Sequence, residues 1–166
     1  TPVCSSAASD VYKRQTTGRP RRTGWLDIIA LKEAHRISGY SGLVVTKLDV
    51  LGGLDEIKIC IGYELDGNPI SHFPTRASEV ERCIAVYETH PGFPALADED
   101  WIDMAERSRK DGTGYDAMPG EVKNIVDRIE VLSGIPVVSV GVGPDRRASI
   151  AKVGGPFDIE WEEATF

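Results

Sequence analysis

Residues 119–146 read PGEVKNIVDRIEVLSGIPVVSVGVGPDR, and this stretch decides the fold class because a helix pattern in it leads directly into a strand pattern. Apolar residues recur at three- and four-residue steps over residues 122–132, which predicts an amphipathic helix. Pro119 is predicted to take the first helical position and Gly134 to end the helix. The β-branched run over 135–140 then predicts a strand. Helices that alternate with apolar strands are typical of α/β proteins.

Earlier segments extend this pattern toward the N-terminus. Residues 25–37 predict a helix, with Thr23 as its N-cap and Gly39 as its stop. The predicted apolar face of this helix comprises Trp25, Ile28, Ile29 and Ile37. The short apolar run over 43–45 predicts a buried strand.

Strict alternation over residues 57–65 predicts the clearest strand of the chain. One face is predicted to carry Ile57, Ile59, Ile61, Tyr63 and Leu65, and the other Lys58, Cys60, Gly62 and Glu64. Asp66 and Gly67 predict a turn into a hairpin partner over 69–73. Residues 78–83 can form a short helix, and 98–110 predict a solvated surface helix with little apolar face. We therefore expect a mixed, partly parallel sheet flanked by helices.

Composition restricts the classes of function. The chain has 166 residues, and 41% of them are hydrophobic. Its net charge of −7 disfavours nucleic acid and anionic membranes as partners, because phosphate groups repel an acidic protein. No apolar run approaches the roughly 20 residues that span a bilayer. The three cysteines (Cys4, Cys60 and Cys83) show neither zinc nor disulfide spacing, which favours a reducing, cytoplasmic location. Residues 1–15 are interpreted as a non-native or disordered leader, and residues 159–166 as an acidic solvated tail.

A basic segment follows this leader. Between Tyr12 and Trp25 lie five basic residues and no acidic one. Its centre consists of Thr16, Thr17, Gly18, Arg19, Pro20 and Arg21. Arginine pairs bidentately with carboxylates and phosphates, so the segment is a candidate oxyanion-binding loop. A solvated basic turn is the alternative.

A second candidate site is Lys47-Leu48-Asp49, which directly follows the predicted strand over 43–45. Ligands of open α/β sheets bind beyond the carboxyl ends of strands. A carboxylate there can accept hydrogen bonds from the ring N–H and the exocyclic amine of guanine, whereas adenine offers no matching donors. The lysine stem can lie along the purine face, as in the Lys-x-Asp element of GTP-binding proteins. An exposed Lys–Asp pair without function is the alternative.

A third candidate is Gly141-Val142-Gly143, which follows the other apolar strand. The glycines permit close approach of the backbone to a planar ligand, although a plain turn explains them equally well. No GxxxxGK[ST] phosphate loop occurs in the sequence.

Taken together, these stretches resemble the adenylosuccinate synthetase family over about residues 16–158. The stretches that carry the resemblance are TTGRPRRTGWLD (16–27), SGLVVTKLDVLGGLDEIKICIGYELDG (41–67), YETHPGF (87–93), VKNIVDRIEVLSGIPV (122–137), GVGPDR (141–146) and PFD (156–158). The resemblance implies that the chain is the C-terminal part of a larger P-loop-like nucleotide-binding fold.

The family joins IMP and L-aspartate with GTP and Mg²⁺, in the first committed step from IMP to AMP. By resemblance, residues 16–21 close over aspartate: Thr17, Arg19 and Arg21 grip its carboxylates. Arg19 also reaches the ribose of IMP, and Arg21 approaches GTP. Residues 47–49 and 141–143 are implied to bind the guanine base.

The family's catalytic aspartate and histidine, its phosphate loop and its Mg²⁺ ligands are expected in an N-terminal part that is not present here. We therefore predict no catalytic and no metal-binding residue in this chain, and no ligase activity from it alone. The resemblance also implies a homodimer. The alternatives are a stand-alone guanine-nucleotide or dicarboxylate-binding module and, disfavoured by the missing phosphate loop, a small GTPase-like switch.

Overall fold

The structure is a computed structural model that describes residues 24–143 and 148–152. The predicted leader, the basic segment and the acidic tail lie outside the described residues. In chain order, the elements are β1 (Leu26–Asp27), α1 (Ile28–Ser38), β2 (Leu43–Thr46), a 3₁₀ turn (Asp49–Leu51), β3 (Glu56–Leu65), β4 (Asn68–Ile70), α2 (Ala77–Val80), β5 (Ile84–Pro91), α3 (Asp98–Asp111), α4 (Gly120–Ser133), β6 (Val137–Gly141) and β7 (Ser149–Ala151).

The chain divides into two compact units. The first contains described residues 24–34 and 56–90, and the second contains 35–55, 91–143 and 148–152. Parallel and antiparallel pairs occur in both, so the predicted mixed, partly parallel α/β arrangement is confirmed, with the strands in two sheets.

The sheet of the first unit is built around β3. Strand β1 runs parallel to β3, with Leu26 opposite Ile59, and β4 runs antiparallel to it. The turn between β3 and β4 has positive φ at Asp66 (53°) and Gly67 (80°), the conformation that suits the right-handed twist of a hairpin. The predicted hairpin is confirmed, but its second strand is Asn68–Ile70 and not the expected 69–73. Strand β5 also pairs with β3, and the sequence patterns did not predict it.

Helix α1 begins three residues later than predicted. Leu26 and Asp27 pair with β3 instead, and the Asp27 side chain caps the helix by accepting a hydrogen bond from the Ala30 N–H (3.0 Å). The predicted cap, Thr23, lies outside the described residues. Ile37 is 70% exposed, so its assignment to a buried face was wrong. Gly39 ends the helix with φ 66°, as predicted.

Strand β3 confirms the strand prediction but not its division into two faces. Cys60 and Tyr63, assigned to opposite faces, lie in one buried cluster with Ile29. Ile61, assigned to the same face as Tyr63, is 38% exposed. The two faces do not separate buried from exposed positions, because both sides of this strand are buried near Cys60 and burial there does not follow a period of two.

The second unit has the three-stranded sheet β2–β6–β7 and the helices α3 and α4. Strands β2 and β6 are parallel, and β6 and β7 are antiparallel. Helix α4 follows its pattern closely: its buried residues are Val122, Ile125, Val126, Ile129 and Ser133. Gly134 ends it with φ 73°, as predicted. Pro119 occupies the N-cap, one position before its predicted place.

Two burial predictions in this unit were wrong. Helix α3 is not merely a solvated helix, since it buries Trp101, Met104 and Ala105. The Ser108 hydroxyl of the same helix accepts a hydrogen bond from the Ala151 N–H of β7 (2.8 Å). Strand β2 is only half-buried, because it lies at one edge of the described sheet and Val44 is 60% exposed. None of the helices in the described ranges offers an apolar stretch of the length that would span a membrane.

Candidate functional site

Two of the three predicted clusters lie side by side in the second unit. Strands β2 and β6 are parallel neighbours, and their last residues, Thr46 and Gly141, are opposite each other. The Lys47 N–H donates a hydrogen bond to the Gly141 carbonyl (3.0 Å). Residues 47–49 and 141–143 therefore leave the carboxyl edge of the sheet together, where α/β folds bind their ligands.

The backbone changes direction sharply at Lys47. This residue has φ 70°, a left-handed conformation that costs a non-glycine residue roughly 1–2 kcal/mol. Leu48 follows with only 2% exposure, so it anchors the segment in the core. The 3₁₀ turn that starts at Asp49 is closed by a hydrogen bond from the Leu51 N–H to the Leu48 carbonyl (3.0 Å). Backbone strain at a ligand-binding edge is typical of functional sites.

Asp49 carries an unsatisfied polar atom. Its Oδ1 is buried and accepts no hydrogen bond from any described residue. A buried carboxylate oxygen without a donor costs about 1–3 kcal/mol or more. A donor supplied from outside the described residues, or by a ligand, would remove that cost.

The glycines of the third cluster fit closely against their neighbours in the fold. A Cβ on Gly141 would lie 3.2 Å from Cγ2 of Thr46, and a Cβ on Gly143 would lie 3.1 Å from Cβ of Ala148. Val142 between them is 2% exposed, and its N–H donates to the Ala148 carbonyl (2.9 Å). Both glycines therefore have a packing role that the sequence interpretation, which considered only a ligand or a turn, did not include.

A second segment supports the turn after Asp49 and was not singled out by the site reasoning. The Gly53 N–H donates to the Phe93 carbonyl (2.8 Å), and the Gly92 N–H donates to the Asp55 carbonyl (3.0 Å). Phe93 is 2% exposed. The sequence signals for this contact were the paired glycines 52 and 53 and the stretch YETHPGF (87–93), which contains Gly92 and Phe93.

The first unit contains a separate polar pair. The Tyr63 hydroxyl donates to Asp27 Oδ2 at 2.5 Å, and Oδ1 of the same carboxylate caps α1. Burial, followed by this hydrogen bond and the charge of Asp27, raises the pKa of Tyr63 well above its usual range. Burial likewise raises the pKa of Cys60. Tyr63 belongs to the core cluster around β3 and Asp27 caps α1, so the pair is a structural contact.

Not every predicted feature can be located. Thr16, Thr17, Gly18, Arg19, Pro20 and Arg21 all lie outside the described residues, as do Pro144, Asp145 and Arg146. In the part of the chain that is described, no group of three or more His, Cys, Asp or Glu side chains is placed to hold a metal ion.

Comparison with known proteins identifies the family. A family model described as adenylosuccinate synthetase matches residues 12–150. The chain is 45% identical over 134 residues to the adenylosuccinate synthetase of Paraburkholderia phytofirmans, covering 81% of this chain and 27% of the relative. It is 46% identical over 135 residues to that of Desulforapulum autotrophicum, covering 81% and 29%.

A solved structure agrees. The fully ligated adenylosuccinate synthetase of Plasmodium falciparum superposes with a TM-score of 0.69 at 33% identity, covering 82% of this chain and 30% of that one. The chain thus spans little more than a quarter of the length of the curated relatives. A match over most of this sequence, in both residues and fold, shows that the chain belongs to the adenylosuccinate synthetase family.

Proposed function

We propose that this chain is the guanine-reading and aspartate-binding part of an enzyme that joins IMP and L-aspartate at the expense of GTP. The names of its relatives and the resemblance of its motifs support this activity. The observation that carries the proposal is the unsatisfied Oδ1 of Asp49 at the carboxyl edge of the parallel pair β2 and β6.

Guanine can supply a donor to Asp49 Oδ1, which has none among the described residues. Its ring N–H and its exocyclic amine are adjacent donors, and a carboxylate can accept both at once. Adenine presents an acceptor and a donor instead, so it would leave one carboxylate oxygen unpaired. Lys47, exposed and two residues before Asp49, is free to lay its alkyl stem along the base.

The other substrate contacts rest on the resemblance. Thr17, Arg19 and Arg21 would hold the carboxylates of aspartate, which orients its weakly nucleophilic amine and screens its charge beside a phosphorylated intermediate. The family uses Mg²⁺, but the described residues offer it no ligand cluster, so we derive no step through the metal in this chain. A cytoplasmic homodimer remains part of the proposal on the same grounds.

Calorimetric titration of the 166-residue chain with GTP and with ATP tests the base-reading role. We expect GTP to bind more tightly, and Asp49→Asn to weaken GTP binding about ten- to a hundredfold while ATP binding changes little. Asp116→Asn is the matched control, because it removes the same charge from an exposed position that has no part in the proposed site. Equal affinity for GTP and ATP would refute the guanine assignment.

An activity assay distinguishes the proposed ligase from the alternative, a non-catalytic binding module. Because the chain covers little more than a quarter of its relatives' length, we propose that it does not turn over IMP, aspartate and GTP on its own. A longer polypeptide that carries this chain should form adenylosuccinate. Selective guanine binding without turnover by that polypeptide would favour a non-catalytic binding module.

A further inference from the structure

The turn that follows Asp49 lies unusually close to the segment at residues 91–95. A Cβ on Gly92 would lie 1.7 Å from the Leu54 carbonyl oxygen and 2.7 Å from its carbon. A Cβ on Gly52 would lie 3.0 Å from Cα of Ala95. In both cases the nearest atom belongs to the backbone, which cannot rotate aside as a flexible side chain can. No side chain larger than hydrogen fits at Gly92 without moving residues 54 and 55.

Hydrogen bonds hold the two segments at this distance. They join the Gly53 N–H to the Phe93 carbonyl and the Gly92 N–H to the Asp55 carbonyl, at 2.8 and 3.0 Å. Gly92 does not have a positive φ, unlike Gly53, so its backbone conformation is open to alanine. The demand for glycine at position 92 therefore comes from close approach, not from backbone conformation.

We propose that Gly92 and Phe93 position the base-reading segment Lys47–Leu48–Asp49 and thereby contribute to the choice of nucleobase without touching the base. This inference rests on the proposed role of Asp49. The rigid connection runs from Phe93 through Gly53 to the 3₁₀ turn, whose first residue is Asp49.

The geometry explains why such support is needed. A carboxylate discriminates guanine only if both of its oxygens meet their donors at hydrogen-bond distance, and a displacement near 1 Å breaks that arrangement. Leu48 fixes one end of the turn in the core, since it is 2% exposed. Leu51 and Gly52 form the other end, where the contact with residues 92–95 adds to the turn's own hydrogen bonds from the Leu51 and Gly52 N–H groups.

A graded set of glycine-to-alanine variants tests the inference in the 166-residue chain. Gly120→Ala is the control, because a Cβ there has no neighbour within 4 Å. Gly52→Ala imposes a mild displacement and Gly92→Ala a severe one. We expect the GTP affinity to be unchanged in the control, to fall on the order of tenfold in Gly52→Ala and up to about a hundredfold in Gly92→Ala, with ATP affinity nearly constant.

Coupling to Asp49 distinguishes positioning from a general loss of stability. In a double-mutant cycle, Gly52→Ala should cost much less GTP affinity when Asp49→Asn is already present, because both changes remove the same interaction. Additive losses, or equal losses of GTP and ATP affinity, would overturn the inference. Circular dichroism monitors folding, and Gly52→Ala decides the matter if Gly92→Ala does not fold.

The outcome also separates this inference from the proposed function. If the unmodified chain binds GTP and ATP equally, the guanine assignment fails, and the positioning role fails with it. If the chain prefers GTP and Asp49→Asn removes that preference while both glycine variants keep it, only the positioning role is refuted.

Discussion

Replacing Tyr63 by phenylalanine should destabilise the first unit in a pH-dependent way. The substitution deletes the hydroxyl that donates to Asp27 Oδ2 and leaves that oxygen without its partner, while the cap from Asp27 Oδ1 to Ala30 remains. A hydrogen bond to a charged group contributes about 1.5–3 kcal/mol, and Asp27 is half-buried. We therefore expect a loss of about 1–2 kcal/mol in unfolding free energy at pH 8.

The unfolding free energy at alkaline pH tests the contribution of Tyr63 more directly. The pKa of Tyr63 is raised in the folded state, first by burial and then by its bond to Asp27, whereas in the unfolded chain it lies near 10. Above pH 10 the unfolded state therefore loses the tyrosine proton that the folded state keeps, and stability falls as the pH rises. From pH 10 to 11 the Tyr63 contribution decreases by about 1 kcal/mol.

Urea denaturation of both proteins between pH 8 and 11 measures this contribution. The stability difference between the unmodified chain and Tyr63→Phe should be constant below about pH 9 and narrow by about 1 kcal/mol between pH 10 and 11. Tyr40→Phe, at a ring that is 38% exposed, is the control and should change the unfolding free energy by less than about 0.5 kcal/mol. A difference that stays constant up to pH 11 would refute the reasoning.

Three further changes test the second unit. Leu48→Ala should cost about 2–5 kcal/mol in urea denaturation, because the side chain is 2% exposed, and should also weaken GTP binding in calorimetry. Lys152→Met should lower the unfolding free energy by only about 1 kcal/mol, because the ion pairs of Lys152 with Asp127 (2.6 Å) and Glu130 (3.2 Å) are partly screened by solvent. A loss above about 3 kcal/mol would contradict this expectation. Gly134→Ala should cost about 1–2 kcal/mol in thermal unfolding through its φ of 73° alone, because no atom crowds its Cβ.

Local patterns predicted the elements that depend on local interactions. Helix α4, the Gly134 stop and the Asp66–Gly67 hairpin turn each follow from a few consecutive residues, and the structure confirms them. Strands β1 and β7 could not be predicted in this way. Each is only two or three residues long and is defined by the strand it pairs with. The burial of α3 depends on the same kind of distant contact, since Ala151 in β7 bonds to Ser108.

In the candidate site, too, features that depend on consecutive residues were predicted, and features that depend on distant contacts were not. The strand patterns predicted that residues 47–49 and 141–143 lie at the ends of two strands, which the structure confirms, and the parallel pairing of β2 and β6 brings the two segments together. Ligand binding at this edge stays a prediction. The positive φ of Lys47 and the support from Gly92 and Phe93 could not be predicted. Both arise because the chain must turn from β2 into a 3₁₀ turn that is held against a segment about 40 residues away.

Two features that lower the stability of the fold lie within three residues of each other at this edge. Lys47 adopts a conformation that its side chain disfavours, and Asp49 keeps a buried oxygen that no described residue satisfies. Neither cost is needed to end a strand, because a glycine at position 47 and an alanine at position 49 would remove both. A fold keeps such features when the surrounding structure enforces them and when an added donor recovers the energy. Leu48 and the contact at Gly92 hold this conformation in place, and under the proposed function an N–H donor of the guanine base recovers the energy at Asp49.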